Sequence, residues 1–294
     1  MVVYVRKKKI KGREYYYAVI STREDAQVKK KEHYIGTNKP SEEDLKDLAS
    51  EFDSTKRYLD SIKKELAEIK HAYRKKIENA TSDELNRLED EAAVRFTYDT
   101  SRIEGSSLSY KDTKLLLNEG ITPGDKPIKD VKEIQNHKEA HHYMKENLKK
   151  NIDVRFMLRL HAILKKDVTE DAGSFRNGQV LVGDMVPVKP SMIEPEINNL
   201  IAWYAENKAM NPLEMAAVFH SIFERVHPFF DGNGRVGRLL LNHILLRKGY
   251  PLLIIQNKNR RRYYNALRRA DDGNYLYMVK YLFYELKQSV KRYT

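Results

Sequence analysis

The chain has 294 residues, enough for one sizeable core and a small appendage, and its 41% hydrophobic and 33% charged content is that of an ordinary globular protein. No apolar run approaches the roughly 18–20 residues that cross a bilayer, there is no cysteine for a disulfide or thiolate metal site, and MVVYV runs straight into RKKK without the apolar core of a secretion signal. A cytoplasmic protein without membrane contact is expected. The formal charge of +12 is terminal: residues 1–40 carry 11 Lys/Arg against 4 Asp/Glu, residues 256–294 carry 10 against 3, and the middle is slightly acidic. Two readings fit the first of these segments, an ordinary solvated face and a contact for nucleic acid or an acidic partner.

In chain order, residues 1–40 read as a small basic β-meander. Its strands are VVYV, Glu14–Ile20 and Lys31–Ile35, with turns at Lys11-Gly12-Arg13 and around Ser21–Ala26. Three short strands bury little, so the meander must lean on something else. Pro40-Ser41 then opens a helix with Asp44 placed for a capping box. Leu45, Phe52, Leu59, Leu66 and Tyr73 recur every seven residues, with Leu48, Ile62 and Ile69 on a second seam broken by Thr55 and Lys76. One helix within 41–80, from 41 to about 78 and about 57 Å long at 1.5 Å per residue, packs along the main domain or stands out as a coiled-coil arm.

Asn79-Ala80-Thr81 interrupts that pattern, and Thr81–Glu84 is a second capping box. Residues 81–294 read as helix after helix, with starts at Ser109, Asp130, Asp153, Glu194 and Pro212. The exception is FRNGQVLVGDMVPVKP, Phe175–Pro190, whose alternating valines, glycines and prolines predict an exposed β-hairpin. The fold class expected is mainly α, with that hairpin as a flap. Of His137, His141 and His142, the first two share a helical face but no third metal ligand is evident nearby, so they read as a partly buried helix; His161 reads as a core or helix-contact histidine.

The chemistry concentrates in His227–Arg238, HPFFDGNGRVGR. Met215, Val218, Phe219, Ile222, Phe223 and Val226 stripe a core helix that must end before Pro228, and Val236, Leu239, Leu240, Ile244 and Leu245 begin another. Gly232 and Gly234 let backbone N–H groups face a ligand at the positive end of the second helix. Arg235 and Arg238, three apart, can project toward one anion, and two cations at a helix N-terminus disfavour the helix unless an anion is present. Asp231 suits Mg²⁺ on phosphates, and His227 can accept a proton near neutral pH.

This segment matches every fixed position of HPFx[DE]GNGRxxR, the signature of the Fic family, and the chain resembles that family over about residues 83–290. PLEMAAVFHSIFERV with His220, GSFRNGQVLVG with Pro187, and Arg262-Tyr263-Tyr264 with Ala266, Leu267 and Ala270 extend the resemblance. It implies a Fic-type helical domain that transfers AMP from ATP, with Mg²⁺, to Ser, Thr or Tyr hydroxyls of a protein. His227 would be the base, Asp231 the metal ligand, and Gly232, Asn233 and Gly234 the phosphate cradle, with the Asn233 side chain on a phosphate oxygen. Arg235 and Arg238 would neutralise the β- and γ-phosphates and Phe229 would anchor the loop. Tyr264 would border the adenine, with Asp271 where relatives often carry Asn. The backbone of Gln179, Val180, Leu181 and Val182, with Val186 as a clamp, would grip the target.

Thr100-Ser101-Arg102-Ile103-Glu104-Gly105 fits the family's inhibitory motif [ST]xxxE[GN]. Thr100, Glu104 and Gly105 are therefore expected to hold the enzyme off, Glu104 by pairing with Arg238. The same carboxylate is a candidate for removing AMP again. A homodimer is expected, through surface helices or the heptad. Two other readings carry distinct consequences: a Fic-fold transferase with another donor, such as a phosphotransferase, and a non-catalytic adaptor binding DNA or a partner. Intact His227 and Asp231 weigh against the adaptor.

Overall fold

The computed structural model describes residues 2–10, 13–24 and 27–292. Among these, three antiparallel strands precede eleven α-helices. The strands are β1 (Val2–Ile10), β2 (Arg13–Glu24) and β3 (Gln27–Gly36), in spatial order β1-β2-β3. The meander is thus present with longer strands than expected. Ser21–Glu24 extend β2 instead of turning, and the turn positions Lys11, Gly12, Asp25 and Ala26 lie outside the described residues. The central strand buries Tyr15, Tyr17, Ala18, Val19 and Ile20. The sheet leans on the helix α7 (Pro190–Glu206): Tyr17 bonds Asn199, Trp203 Nε1 donates to the Glu32 carbonyl at 2.6 Å, and Lys8 pairs with Glu206 at 2.6 Å. Several basic residues of the meander have internal partners, Lys8 also reaching Glu32 and Lys7 reaching Glu14.

The expected long helix is two, α1 (Glu42–Ser61) and α2 (Lys63–Asn79). The Ser61 hydroxyl donates back to the Tyr58 carbonyl at 2.7 Å, and Ile62 leaves helical geometry at φ −100°, ψ 3°; side-chain competition of this kind bends helices. Phe52, Thr55, Leu59, Ile62, Leu66 and Ile69 are buried, and both helices lie against α11 (Leu276–Val290). The heptad is therefore an intramolecular seam, which removes the coiled-coil arm and the heptad route to a dimer.

The main domain continues with α3 (Ser82–Ile103), α4 (Tyr110–Glu119), α5 (Ile128–Glu146), α6 (Val154–Leu164), α7, α8 (Pro212–Val226), α9 (Asn233–Arg247), a 3₁₀ turn at Asn257–Asn259, α10 (Arg260–Asp271) and α11. Capping boxes at Ser41–Asp44, Thr81–Glu84 and Ser109–Asp112 form as the sequence indicates, and Asp153 caps α6. Two starts differ. Helix α7 begins four residues before Glu194, at Pro190, because a proline at the first helical position is already set to helical φ. Helix α5 begins at Ile128, and Asp130 instead accepts from Ser107 N–H and hydroxyl, both at 2.7 Å. The core sits on α8 and α9; every residue from Asn233 to Leu245 is buried.

The hairpin at 175–190 is a correction. Its only ladder contact among the described residues is the bridge Val182↔Met185, around a turn at Gly183. The rest is held by side chains. Arg176, 2% exposed, donates to the carbonyls of His227 (2.8 Å), Gly178 (2.9 Å) and Val188 (2.5 Å), and Gln179 Nε2 donates to the Pro187 carbonyl at 2.9 Å. One guanidinium replaces a run of ladder bonds and ties the flap to the histidine loop. Arg176→Met leaves those carbonyls without their donor, so a loss of about 2–4 kcal/mol is expected. Thermal unfolding should show a midpoint several degrees lower with faster proteolysis within 177–188; an unchanged midpoint would remove Arg176 from this role.

Candidate active site

Helix α8 delivers His227 at its C-cap, in left-handed geometry at φ 51°, ψ 63°. Only Asp167 shares positive φ among the described non-glycine residues, and such strain marks a position held by its surroundings. The following proline bars the helix from continuing. His227 Nδ1 lies 3.3 Å from the Glu224 carbonyl. A carbonyl only accepts, so Nδ1 carries the proton and Nε2 keeps a free lone pair. Burial holds the imidazole below its usual pKa, against the opposing pull of the Glu224 carbonyl, which leaves the ring neutral and able to accept a proton at pH 7.

From His227 the chain turns into α9 over Pro228–Gly232. Phe229, fully buried, stacks on His161 with centroids 3.8 Å apart and planes within 6°. His161 Nδ1 accepts from Gly173 N–H at 3.0 Å, so Nε2 must donate to the Asp231 carbonyl at 3.1 Å. Burial lowers its pKa to about 4, and it buttresses the loop as a neutral ring. Asn233 does not act as expected. Its Oδ1 accepts from Phe229 N–H at 2.9 Å and its Nδ2 donates to the Phe229 carbonyl at 2.8 Å, at 2% exposure. The amide is a loop staple, with both its oxygen and one of its two N–H donors committed to Phe229; residues 233–235 also offer an anion the unpaired backbone N–H groups of a helix's first turn.

The two arginines diverge. Arg238, 1% exposed, donates from Nε to the Thr100 hydroxyl and from Nη2 to the Thr100 carbonyl (3.3 Å) and Glu104 Oε1 (2.5 Å). Its Nη1 reaches the Tyr263 hydroxyl at 3.4 Å, and that hydroxyl meets His220 Nε2 at 2.8 Å. Burial drops the His220 pKa to about 3, so Tyr263 accepts from Arg238 and donates to the neutral ring. Arg235 turns the other way, to Glu133 at 2.8 Å and Asp231 at 3.1 Å. In this structure the two do not converge on one point. Each has its own internal carboxylate, which also offsets the cost of cations at a helix start.

Glu104 is the C-cap of α3, followed by Gly105 at φ 95°. Its carboxylate lies over the start of α9, so close that a Cβ on Gly234 would meet Oε1 at 2.2 Å. Gly232 at φ 84° makes the turn that points this helix end outward. Thr100, Glu104, Gly234 and Arg238 thus converge. Tyr264, 44% exposed, donates to the Ile103 carbonyl at 3.4 Å beside them, and Asp271 lies two turns further along α10 on the same face. Leu181 and Val186 on the flap are 69% and 67% exposed. Val182 pairs its N–H and C=O with Met185, so the open flap edge is Gln179–Leu181.

Asp231 is half-exposed at 45%. Burial alone would raise its pKa, but Arg235 and Lys165 hold it well below the usual carboxylate range. Its Oδ1 accepts from Arg235 and from Gly232 N–H at 2.6 Å, and Oδ2 from Lys165 at 2.6 Å. A carboxylate offers about four acceptor sites, so one remains toward solvent. No group of three or more His, Cys, Asp or Glu that could hold a metal occurs among the described residues. His137 bonds the Thr97 hydroxyl at 2.9 Å, and His137 and His141 pack edge-on to Phe96 in the core. One carboxylate with a free lone pair fits Mg²⁺, which uses one or two carboxylates and completes its shell with phosphates and water. Lys165, Glu133 and Arg176 are functional neighbours that sequence reasoning missed; nothing local marks them, since Lys165 is followed by Lys166 and Arg176 by Asn177.

Fold and loop together define a helical domain built round an anion-receptive helix start with a neutral histidine at its rim. The chain belongs to the Fic/DOC family, whose model matches residues 151–245. It is 32% identical over 219 residues to the protein adenylyltransferase fic-1 of Caenorhabditis briggsae, covering 72% of this chain and 43% of that protein. It is 34% identical over 208 residues to the protein adenylyltransferase Fic of Aedes aegypti, covering 69% and 42%. The chain therefore spans less than half the length of these curated relatives. Among solved structures, Fic-1 (residues 134–508) of Caenorhabditis elegans superposes with a TM-score of 0.73 at 27% identity, covering 86% of this chain and 77% of that one. A Fic domain containing signaling protein from Bacteroides thetaiotaomicron gives 0.69 at 26%, covering 77% and 97%.

Proposed function

We propose that this chain is a protein adenylyltransferase that moves AMP from ATP to a Ser, Thr or Tyr hydroxyl of another protein, and that Glu104 restrains it. The observation that carries this reading is the Glu104 carboxylate on the N-terminal turn of α9, 2.5 Å from Arg238. An anion of the protein's own already rests where backbone N–H groups and a guanidinium favour a terminal phosphate. In the active state that phosphate replaces the carboxylate on Arg238. His227 Nε2 takes the proton of the target hydroxyl as its oxygen attacks the α-phosphorus, and pyrophosphate leaves. Asp231 would hold Mg²⁺, which supplies positive charge to the phosphates when bound. Tyr264 and Asp271 border the space for adenine, and the Gln179–Leu181 edge receives an extended target segment by strand addition, with Val186 against its side chain. The names and similarity of the relatives support the same assignment.

The test uses the Glu104→Gly chain, a candidate target mixture and ATP labelled in turn at the α- and γ-phosphate. Transfer of the α-label, with the mass of AMP found on hydroxyl residues, is the expected result. Transfer of the γ-label alone would replace this reading with a phosphotransferase, and transfer of neither would leave the chain as a non-catalytic member.

A further inference from the structure

Lys165 closes α6 with a side chain that has no exposure at all. A lysine at that depth persists only with close counter-charges. It has two: Glu133 Oε1 at 2.7 Å and Asp231 Oδ2 at 2.6 Å. The other oxygen of each acid goes to Arg235, Glu133 at 2.8 Å and Asp231 at 3.1 Å. The four side chains close a ring of alternating charge, formally neutral, drawn from α5, α6 and the start of α9. Glu133 and Arg235 are buried, and Asp231 alone opens to solvent. The carboxylate assigned to the nucleotide's metal is thus already shared with a fixed internal cation. A divalent ion taking the remaining acceptor site would come within about 4 Å of the ammonium, given usual Mg–O and N–O distances, close enough for the two like charges to repel even beside solvent.

We propose that Lys165 is a positioning residue that sets how far nucleotide binding depends on divalent metal, its ammonium acting as a built-in counter-charge on Asp231. The site then holds ATP without metal better, and gains less from Mg²⁺, than Asp231 with Arg235 alone. This rests on the ATP-binding reading above. Lys165→Met leaves the ring with one net negative charge and removes the repulsion, so metal must matter more. Glu133→Gln leaves one net positive charge beside the metal position, so metal must matter less. Opposite signs from two buried neighbours are the mark of an electrostatic role, since loss of packing shifts both the same way.

The experiment measures ATP affinity by calorimetry in Mg²⁺ and in EDTA, on the Glu104→Gly chain with and without each second substitution. The ratio of the two affinities is the readout, with thermal melts checking that each variant is folded. The expected result is a ratio at least ten-fold larger for Lys165→Met and several-fold smaller for Glu133→Gln. Ratios unchanged, or shifted in the same direction, overturn the proposal. If Lys165→Met fails to fold, the Glu133→Gln ratio decides, a fall supporting the proposal and no change overturning it. Absence of ATP binding in either condition by the Glu104→Gly chain itself would instead overturn the nucleotide reading, and this proposal with it.

Discussion

Glu104→Gly is expected to raise AMP transfer, to targets and to the chain itself, by ten-fold or more. Arg238 is fully enclosed, with Thr100, Glu104 and Tyr263 as hydrogen-bond partners, and among the described residues its ion-pair partner is Glu104. Removing that carboxylate frees Arg238 and clears the space above Gly234, while the Thr100 and Tyr263 contacts keep the guanidinium in place. A shift of one factor of ten in the competent population needs only about 1.4 kcal/mol of differential interaction, well within what loss of a buried ion pair supplies. Glycine also suits the position, since it ends α3 one residue before another glycine and leaves no side chain at the phosphate site. The measurement is the initial rate of α-label incorporation, and equal rates for wild type and variant would defeat the restraint. On the same reading Glu104 has a reverse use, orienting water to remove AMP from a modified protein. Glu104→Gly should then lose that removal while gaining addition.

His227→Ala is expected to lower transfer by about 10²–10⁴, the usual contribution of a positioned general base, with ATP affinity almost unchanged. The reason is geometric: the imidazole stands at the rim of the loop, and the groups proposed to face the phosphates are Arg238 and the first turn of α9. ATP titration and single-turnover transfer separate these effects, and a variant that transfers at the wild-type rate would end the assignment. The pH dependence follows from the same ring. Burial lowers the His227 pKa below 6.5, and the base works only when neutral. Activity of the Glu104→Gly chain should therefore be full at pH 7 and fall only as pH drops below 6.5 through the lowered pKa. An acid limb centred above pH 7 would show that another group titrates.

Much of this was legible in the chain itself. Ser41, Thr81, Ser109 and Asp153 mark helix starts because capping depends on residues three apart, which any local reading can see. His227–Arg238 announces its chemistry for the same reason, as twelve consecutive residues place the histidine, the turn and the helix start together. The motif around Glu104 was readable as a pattern, although its partner lies 134 residues away. The hairpin was misread because alternating valines look alike whether a ladder or one buried guanidinium holds them. The heptad left two readings open because an apolar seam does not say whether it meets another chain or α11, and the packing of α1 and α2 on α11 selects the intramolecular one.

The sequence by itself determined a helical domain of this family, the loop that bears its histidine, and the position of the carboxylate proposed to restrain it. Only the tertiary structure decided how the polar groups pair. Asn233 turned inward to staple Phe229, Arg235 left Arg238 for Glu133, and Lys165 came to rest on Asp231. Side chains on α3, α5, α6 and α9 meet according to how those helices cross, and each buried charge must find whichever counter-charge the crossing brings within about 3 Å. That pairing is a property of the packed core and has no local trace in the chain.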